Sequence, residues 1–158
     1  LGCDIHLITE VKKNGKWIVN DNKIFTYWDG SLKDSPFEVR NYKTFAFLAG
    51  VRNSYVIAPI SKLRGLPCDS EYLNCEHVDN YFGEETPVTL YEDILEDLDY
   101  HSYSFLTLKE LLDFNYNSMA TKKETYEEFL GECFFEDVDD IKALGDPENV
   151  RIIFYFDN

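Results

Sequence analysis

The chain has 158 residues, of which 44% are hydrophobic and 16% aromatic, and it carries a formal net charge of −15. That length fits a single domain burying roughly two-thirds of its unfolded surface, and an aromatic content this high excludes the disordered class. No run approaches the roughly 18 apolar residues that cross a bilayer, and no charged-then-apolar leader opens the sequence, so a soluble cytoplasmic protein with no membrane contact is expected.

The acids are unevenly placed. Residues 1–83 hold ten acidic and ten basic residues, whereas residues 84–148 hold nineteen acidic and four basic. A field of that sign repels phosphate backbones, so no direct nucleic-acid binding is expected. Two readings stay open for the 84–148 excess: solvated helix faces that aid solubility, or an acidic surface that engages a basic protein. The four cysteines, Cys3, Cys68, Cys75 and Cys133, form no Cys-x-x-Cys pair. Free thiols in a reducing compartment are expected, and Cys75-x-His77 is too short a spacing to argue for zinc.

Residues 3–20 read as a β-hairpin, with runs Cys3–Lys12 and Lys16–Val19 flanking Asn14-Gly15, a pair that tolerates the positive φ of a tight turn. Alternate side chains of a strand share a face. Asp4, His6 and Glu10 therefore lie on one face with Ile8, and Cys3, Ile5, Leu7 and Val11 on the other. Residues 23–28 suit a third strand ended by Asp29-Gly30. From Arg40 the period becomes helical, with Asn41 as N-cap, Tyr42, Phe45 and Leu48 on one stripe, and Gly50 as the left-handed stop. Residues 51–69, broken by Pro59, Gly65 and Pro67, form a long structured loop of the kind that often carries function.

Ser70–Tyr81 reads as a short helix. Thr107-Leu108-Lys109-Glu110 is a capping box opening a helix over 108–114. Further helices are expected near 122–132 and over Asp139 to Leu144, closed by Gly145. The ending Val150-Arg-Ile-Ile-Phe-Tyr-Phe-Asp157 is apolar on both faces, as an interior strand is, and it could lie beside the first strand. Local signals without a βαβ repeat predict a single α+β domain: a mainly antiparallel sheet with an N-terminal hairpin, a C-terminal strand and several short helices. There is no Walker loop, G-x-G-x-x-G or G-x-S-x-G.

Three constellations could carry chemistry. Asp4-x-His6 places a carboxylate and an imidazole where they could share a divalent metal or serve as acid and base. The alternative is a hydrogen-bonded pair on a half-exposed face. His101-Ser102-Tyr103-Ser104 precedes the Thr107 box, where free N–H groups at a helix mouth bind anions. His101 could also be a third metal ligand or a general base. Arg40-Asn41, Arg52-Asn53 and Arg64 supply guanidinium forks suited to phosphate. With thirty acids to fifteen bases, surface ion pairs are the competing reading for every arginine.

Taken together, several blocks resemble a family of hypothetical phage and bacterial proteins whose members begin Met-Gly-Cys-Asp-Ile-His. These are the opening Gly-Cys-Asp-Ile-His, Arg-Asn-Tyr-x-x-Phe-Ala-x-Leu-Ala-Gly-Val-Arg-Asn, Ile-Ser-x-x-Arg-Gly-Leu-Pro-x-Asp, His-Ser-x-Ser-x-Leu-Thr-Leu-x-Glu-Leu and the ending Val-Arg-Ile-Ile-Phe-x-Phe-Asp-Asn. They span residues 2–158, with no such block in 115–148, and Leu1 stands where the family has methionine. The resemblance brings no activity with it. It does imply a phage or prophage origin, and its Asp-, His-, Arg- and Asn-rich blocks imply a shared polar pocket. The expected function is binding of a phosphorylated or nucleotide-like small molecule, with metal-assisted hydrolysis or transfer as a possible chemistry. The rival is a non-catalytic counter-defence protein that sequesters a host signalling nucleotide or binds a basic host protein.

Overall fold

In the computed structural model, which describes residues 2–81 and 84–158, strands β1 (Asp4–Lys13) and β2 (Lys16–Val19) fold back on each other across Asn14-Gly15. Both turn residues take positive φ, 52° and 78°, the backbone a two-residue hairpin turn requires. The last strand, β6 (Val150–Asp157), lies antiparallel to β1 over its whole length, from Asp4 opposite Asp157 to Val11 opposite Val150. Its first seven residues are all buried. Strand β5 (Tyr100–Thr107) flanks β6 on the other side, which completes an antiparallel sheet of order β2-β1-β6-β5. The expected α+β architecture is what forms.

Each face of the sheet carries its own core. On one, Ile5 and Leu7 of β1 and Ile152, Phe154 and Phe156 of β6 meet helices α1 (Tyr42–Ala49), α3 (Leu108–Asp113), α4 (Tyr126–Leu130) and α5 (Glu132–Lys142). On the other, Ile8, Ile153 and Tyr155 meet Leu66, Leu73 and Ile94. Ile94 belongs to α2 (Leu90–Glu96), which follows a separate hairpin of β3 (Glu76–Tyr81) and β4 (Glu84–Thr89). Each large apolar side chain fully removed from water contributes roughly 1.5–3 kcal/mol. The fully buried Phe154 and Phe156 therefore anchor the chain's end at the sheet's centre. Among the described residues no helix is long and apolar enough to cross a membrane.

The helix signals place α1 well. Asn41 accepts from the backbone of Lys43 (3.0 Å) and Thr44 (3.4 Å), and Gly50 closes the helix at φ 69°. Thr107 and Glu110 form the reciprocal cap of α3. Other boundaries differ from expectation. Residues 23–28 do not form a strand. Thr26 makes one bridge to Leu32 across the Asp29-Gly30 turn, too short a pairing to extend. Ser70–Tyr81 is not helical: one capped turn over Ser70–Leu73 gives way to β3, whose backbone is satisfied by β4. The helix near 122–132 is only Tyr126–Leu130, stopped at Gly131 with φ 80°, and the helix placed at Asp139 to Leu144 runs instead from Glu132 to Lys142.

Candidate functional site

The antiparallel β1–β6 pairing makes one end of the sheet from the first residues of β1, the last of β6 and the first of β5, since Asp4 and Tyr100 both lie opposite Asp157. Side-chain alternation then puts Asp4, His6, Tyr155 and Asp157 on one face. His6 Nε2 is 2.5 Å from an Asp157 carboxylate oxygen. Its ring stacks on Tyr155 at 5.0 Å and 11° and leans on Tyr100 at 5.1 Å. An imidazole tied to a carboxylate through one nitrogen is fixed in orientation. The phenol of Tyr155 is pushed up to about 12, first by burial and then by the neighbouring Tyr100 and Tyr72. It stays a neutral aromatic wall.

Arg40 grips Asp4 with two parallel hydrogen bonds, Nε to Oδ1 at 2.8 Å and Nη2 to Oδ2 at 2.7 Å. That contact holds the Asp4 carboxyl below its usual range. It also lies close over Gly2, where an added Cβ would push the Arg40 guanidinium aside. Arg52, at φ 52°, sits over the Tyr42 ring at 5.6 Å and reaches the Cys3 thiol. Burial raises Cys3 and Arg52 only partly offsets it, so Cys3 remains a thiol of the core rather than a nucleophile.

His101 belongs to the same end of the sheet but to the other face, its ring 6.3 Å from that of Phe156. The His101-Ser102 stretch is not the loop at a helix mouth that its spacing implies. It is the start of β5, with a bulge between His101 and Ser104. Ser102 takes φ 60° there, and its hydroxyl lies 2.9 Å from His101 Nδ1. Nε2 of His101 is buried and has no hydrogen-bond partner among the described residues. Non-glycine residues at positive φ cost of order 1–3 kcal/mol and cluster at functional sites, and Arg52 and Ser102 are two of them.

The remaining expected ligands lie elsewhere. Arg64 stacks on Phe105 and pairs with Glu110 through both terminal guanidinium nitrogens, toward the far end of β5. Ser104 is buried and accepts from the Arg64 backbone. Asn53 closes its own loop, bonding Ile57 N–H and C=O. Asn41 spends its side-chain oxygen as the α1 cap. Asp4, His6 and His101 do not converge as a metal-ligand set. Among the described residues no group of three or more His, Cys, Asp or Glu side chains could hold a metal ion. Asp157, Tyr100 and Tyr155 are the residues that local sequence patterns miss here. Their one signal was the possible pairing of the first strand with the last.

The Arg64–Glu110 contact makes a pH prediction. The pair, with help from Thr107, lowers the Glu110 carboxyl to about 2. A depressed acid contributes stability above its unfolded value near 4.3 and loses it as pH falls toward the folded value. Glu110 is about one-third exposed, so solvent screening holds the contribution to about 1 kcal/mol or less. Acid titration followed by circular dichroism will show Glu110→Gln flattening the loss of stability between about pH 4.5 and 2 relative to wild type.

Comparison with protein-family models, with curated proteins and with solved structures finds no match to this chain.

Proposed function

We propose that the chain binds a phosphorylated or nucleotide-like small molecule at the end of the sheet where β1 begins and β6 finishes. One observation carries the reading. Three stretches far apart in sequence, Cys3–His6, Arg40–Arg52 and Tyr100–Ser102, meet there together with Asp157. The guanidinium of Arg52 supplies positive charge for an anion, while that of Arg40 is paired with Asp4 and shapes the rim. The half-buried ring of Tyr100 beside His6 is a flat apolar surface of the kind a base stacks upon, and Tyr155, buried beneath the His6 ring, backs it. The His6–Asp157 pair is the group able to hold or move a proton. The family resemblance of the opening and closing blocks supports a phage origin, in which capture of a nucleotide serves as well as its hydrolysis.

The test is titration calorimetry with AMP, ADP-ribose, a cyclic dinucleotide and inorganic phosphate. At least one nucleotide is expected to bind wild type with a Kd between about 1 μM and 1 mM. Arg52→Ala and His6→Ala are each expected to weaken it about tenfold. No binding by wild type, or binding indifferent to both substitutions, rejects the reading. Chromatography of the recovered nucleotide separates capture (returned intact) from turnover (returned cleaved).

A further inference from the structure

The segment between β2 and α1 builds a second cleft, which borders the Arg40–Arg52 stretch at Asn41 and Thr44 but does not include Arg40, Arg52, His6, Tyr100 or Asp157. Its turn is held by backbone bonds between Tyr27 and Ser31 (2.8 Å) and between Gly30 and Tyr27 (2.9 Å), with the Asp29 carboxylate accepting from Ser31. The turn presents Trp28 with 89% of its surface exposed, and Val39, 56% exposed, stands on the same cleft. The floor is Phe37 and Phe134, stacked at 5.0 Å. At its base the buried Lys33–Asp137 pair, 2.7 Å apart, is already neutral.

Size and charge decide what fits. The cleft holds about 200 Å³, below the roughly 300–1,000 Å³ of small-molecule sites, but enough for one bulky side chain. Its surroundings are acidic. Burial raises the Tyr27 phenol, and the nearby Glu38, then Asp34 and Asp29, raise it further. Glu136 of α5 lines the cleft and also a neighbouring open groove with Glu127, Glu128, Glu132, Phe135 and Asp139. Residues 125–142 carry seven acids and one base. An exposed tryptophan beside an aromatic pocket is a typical energetic anchor of a protein interface, and a field of one sign selects a partner of the other.

We infer that this cleft and the acidic face of α5 dock a basic peptide segment of a partner protein. One bulky apolar side chain enters between Trp28 and Phe134, and flanking lysines or arginines lie along Glu38, Glu136 and Glu132. The occupant is cationic and carries an apolar anchor. Charge alone does not define it.

Fluorescence anisotropy with a fluorescein-labelled Lys-Arg-Leu-Phe-Lys-Arg peptide tests this on the full chain at low salt. Wild type is expected to bind it, and a Lys-Arg-Ser-Ser-Lys-Arg peptide is expected to bind about tenfold more weakly. Trp28→Ala, at an exposed position that leaves folding intact, is expected to weaken the first peptide about tenfold or more. Glu136→Lys is expected to weaken it several-fold more than Glu96→Lys, an equal charge change on an exposed residue of α2. The inference is overturned if wild type does not bind the first peptide, if the two peptides bind alike, if Trp28→Ala binds as wild type does, or if the two reversals weaken binding equally. The last three outcomes would mean diffuse attraction to a net charge of −15.

Discussion

Replacing Glu10 with alanine will destabilise the fold by about 3–5 kcal/mol, the usual cost of leaving a buried charge without its partner. Glu10 is fully buried on β1, and Arg151, opposite it on β6, is 3% exposed. Arg151 Nε donates to Glu10 Oε1 at 2.7 Å. Nη2 lies 2.7 Å from the same oxygen but off the axis that a hydrogen bond needs. The other carboxylate oxygen accepts from Ser70 at 2.7 Å, and the guanidinium rests on the Trp17 ring at 4.2 Å. Asp69, largely exposed, holds Nη1 at 2.8 Å. Removing Glu10 leaves the largely exposed Asp69 as the counter-charge of Arg151 among the described residues and strips Ser70 of its acceptor. For a chain of this length each kcal/mol moves the melting temperature about 2–4 °C, so Tm should fall by roughly 6–20 °C. A double variant, Glu10→Leu with Arg151→Met, removes both charges and should recover most of the loss. A Glu10→Ala change costing under about 1 kcal/mol would mean that Asp69 and water satisfy Arg151 unaided.

Asp137→Ala is expected to cost a similar amount, about 3–5 kcal/mol, through two losses at once. The Asp137 carboxylate pairs with Lys33, which is 8% exposed, and also accepts the Phe37 backbone N–H at 3.0 Å. Phe37 sits at φ 58°, a conformation that L residues adopt only when held. Without Asp137 the ammonium of Lys33 is stranded and the strained turn loses its tether. Asp137→Asn keeps an acceptor for Phe37 but not the charge, so it should fall between wild type and alanine in urea denaturation. An asparagine variant as unstable as the alanine one would assign the whole effect to the ion pair. One as stable as wild type would assign it to the Phe37 bond.

Local chemistry was readable wherever a short stretch decides its own conformation. Asn14-Gly15 announced its turn, Asn41 and Gly50 bracketed their helix, and Thr107 with Glu110 closed on each other. The alternation of Asp4, His6, Ile8 and Glu10 was equally plain, and their face of β1 is the one that meets Tyr155, Ile153 and Arg151. What each polar residue does was not readable, because each answer lies far away in the chain. His6 is held by a carboxylate 151 positions on, Glu10 by an arginine 141 on, and Arg64 by an acid 46 on. Strand β5 was hidden because its bulge at Ser102 breaks the two-residue period. Strand β4, Glu-Glu-Thr-Pro-Val-Thr, has the composition of a loop, and it is pairing with β3 that makes it a strand. Trp28, expected to end a third strand, stands instead on a turn and faces water.

The measurement closest to the central claim is a nitrogen–proton NMR titration of the full chain with the nucleotide that calorimetry selects. Amide shifts are predicted to concentrate at Cys3–His6, Arg52, Tyr100–Ser102 and Tyr155–Asp157, and to disappear in Arg52→Ala. Shifts confined to Trp28–Val39 and α5, or scattered without a focus, would contradict a ligand site at that end of the sheet.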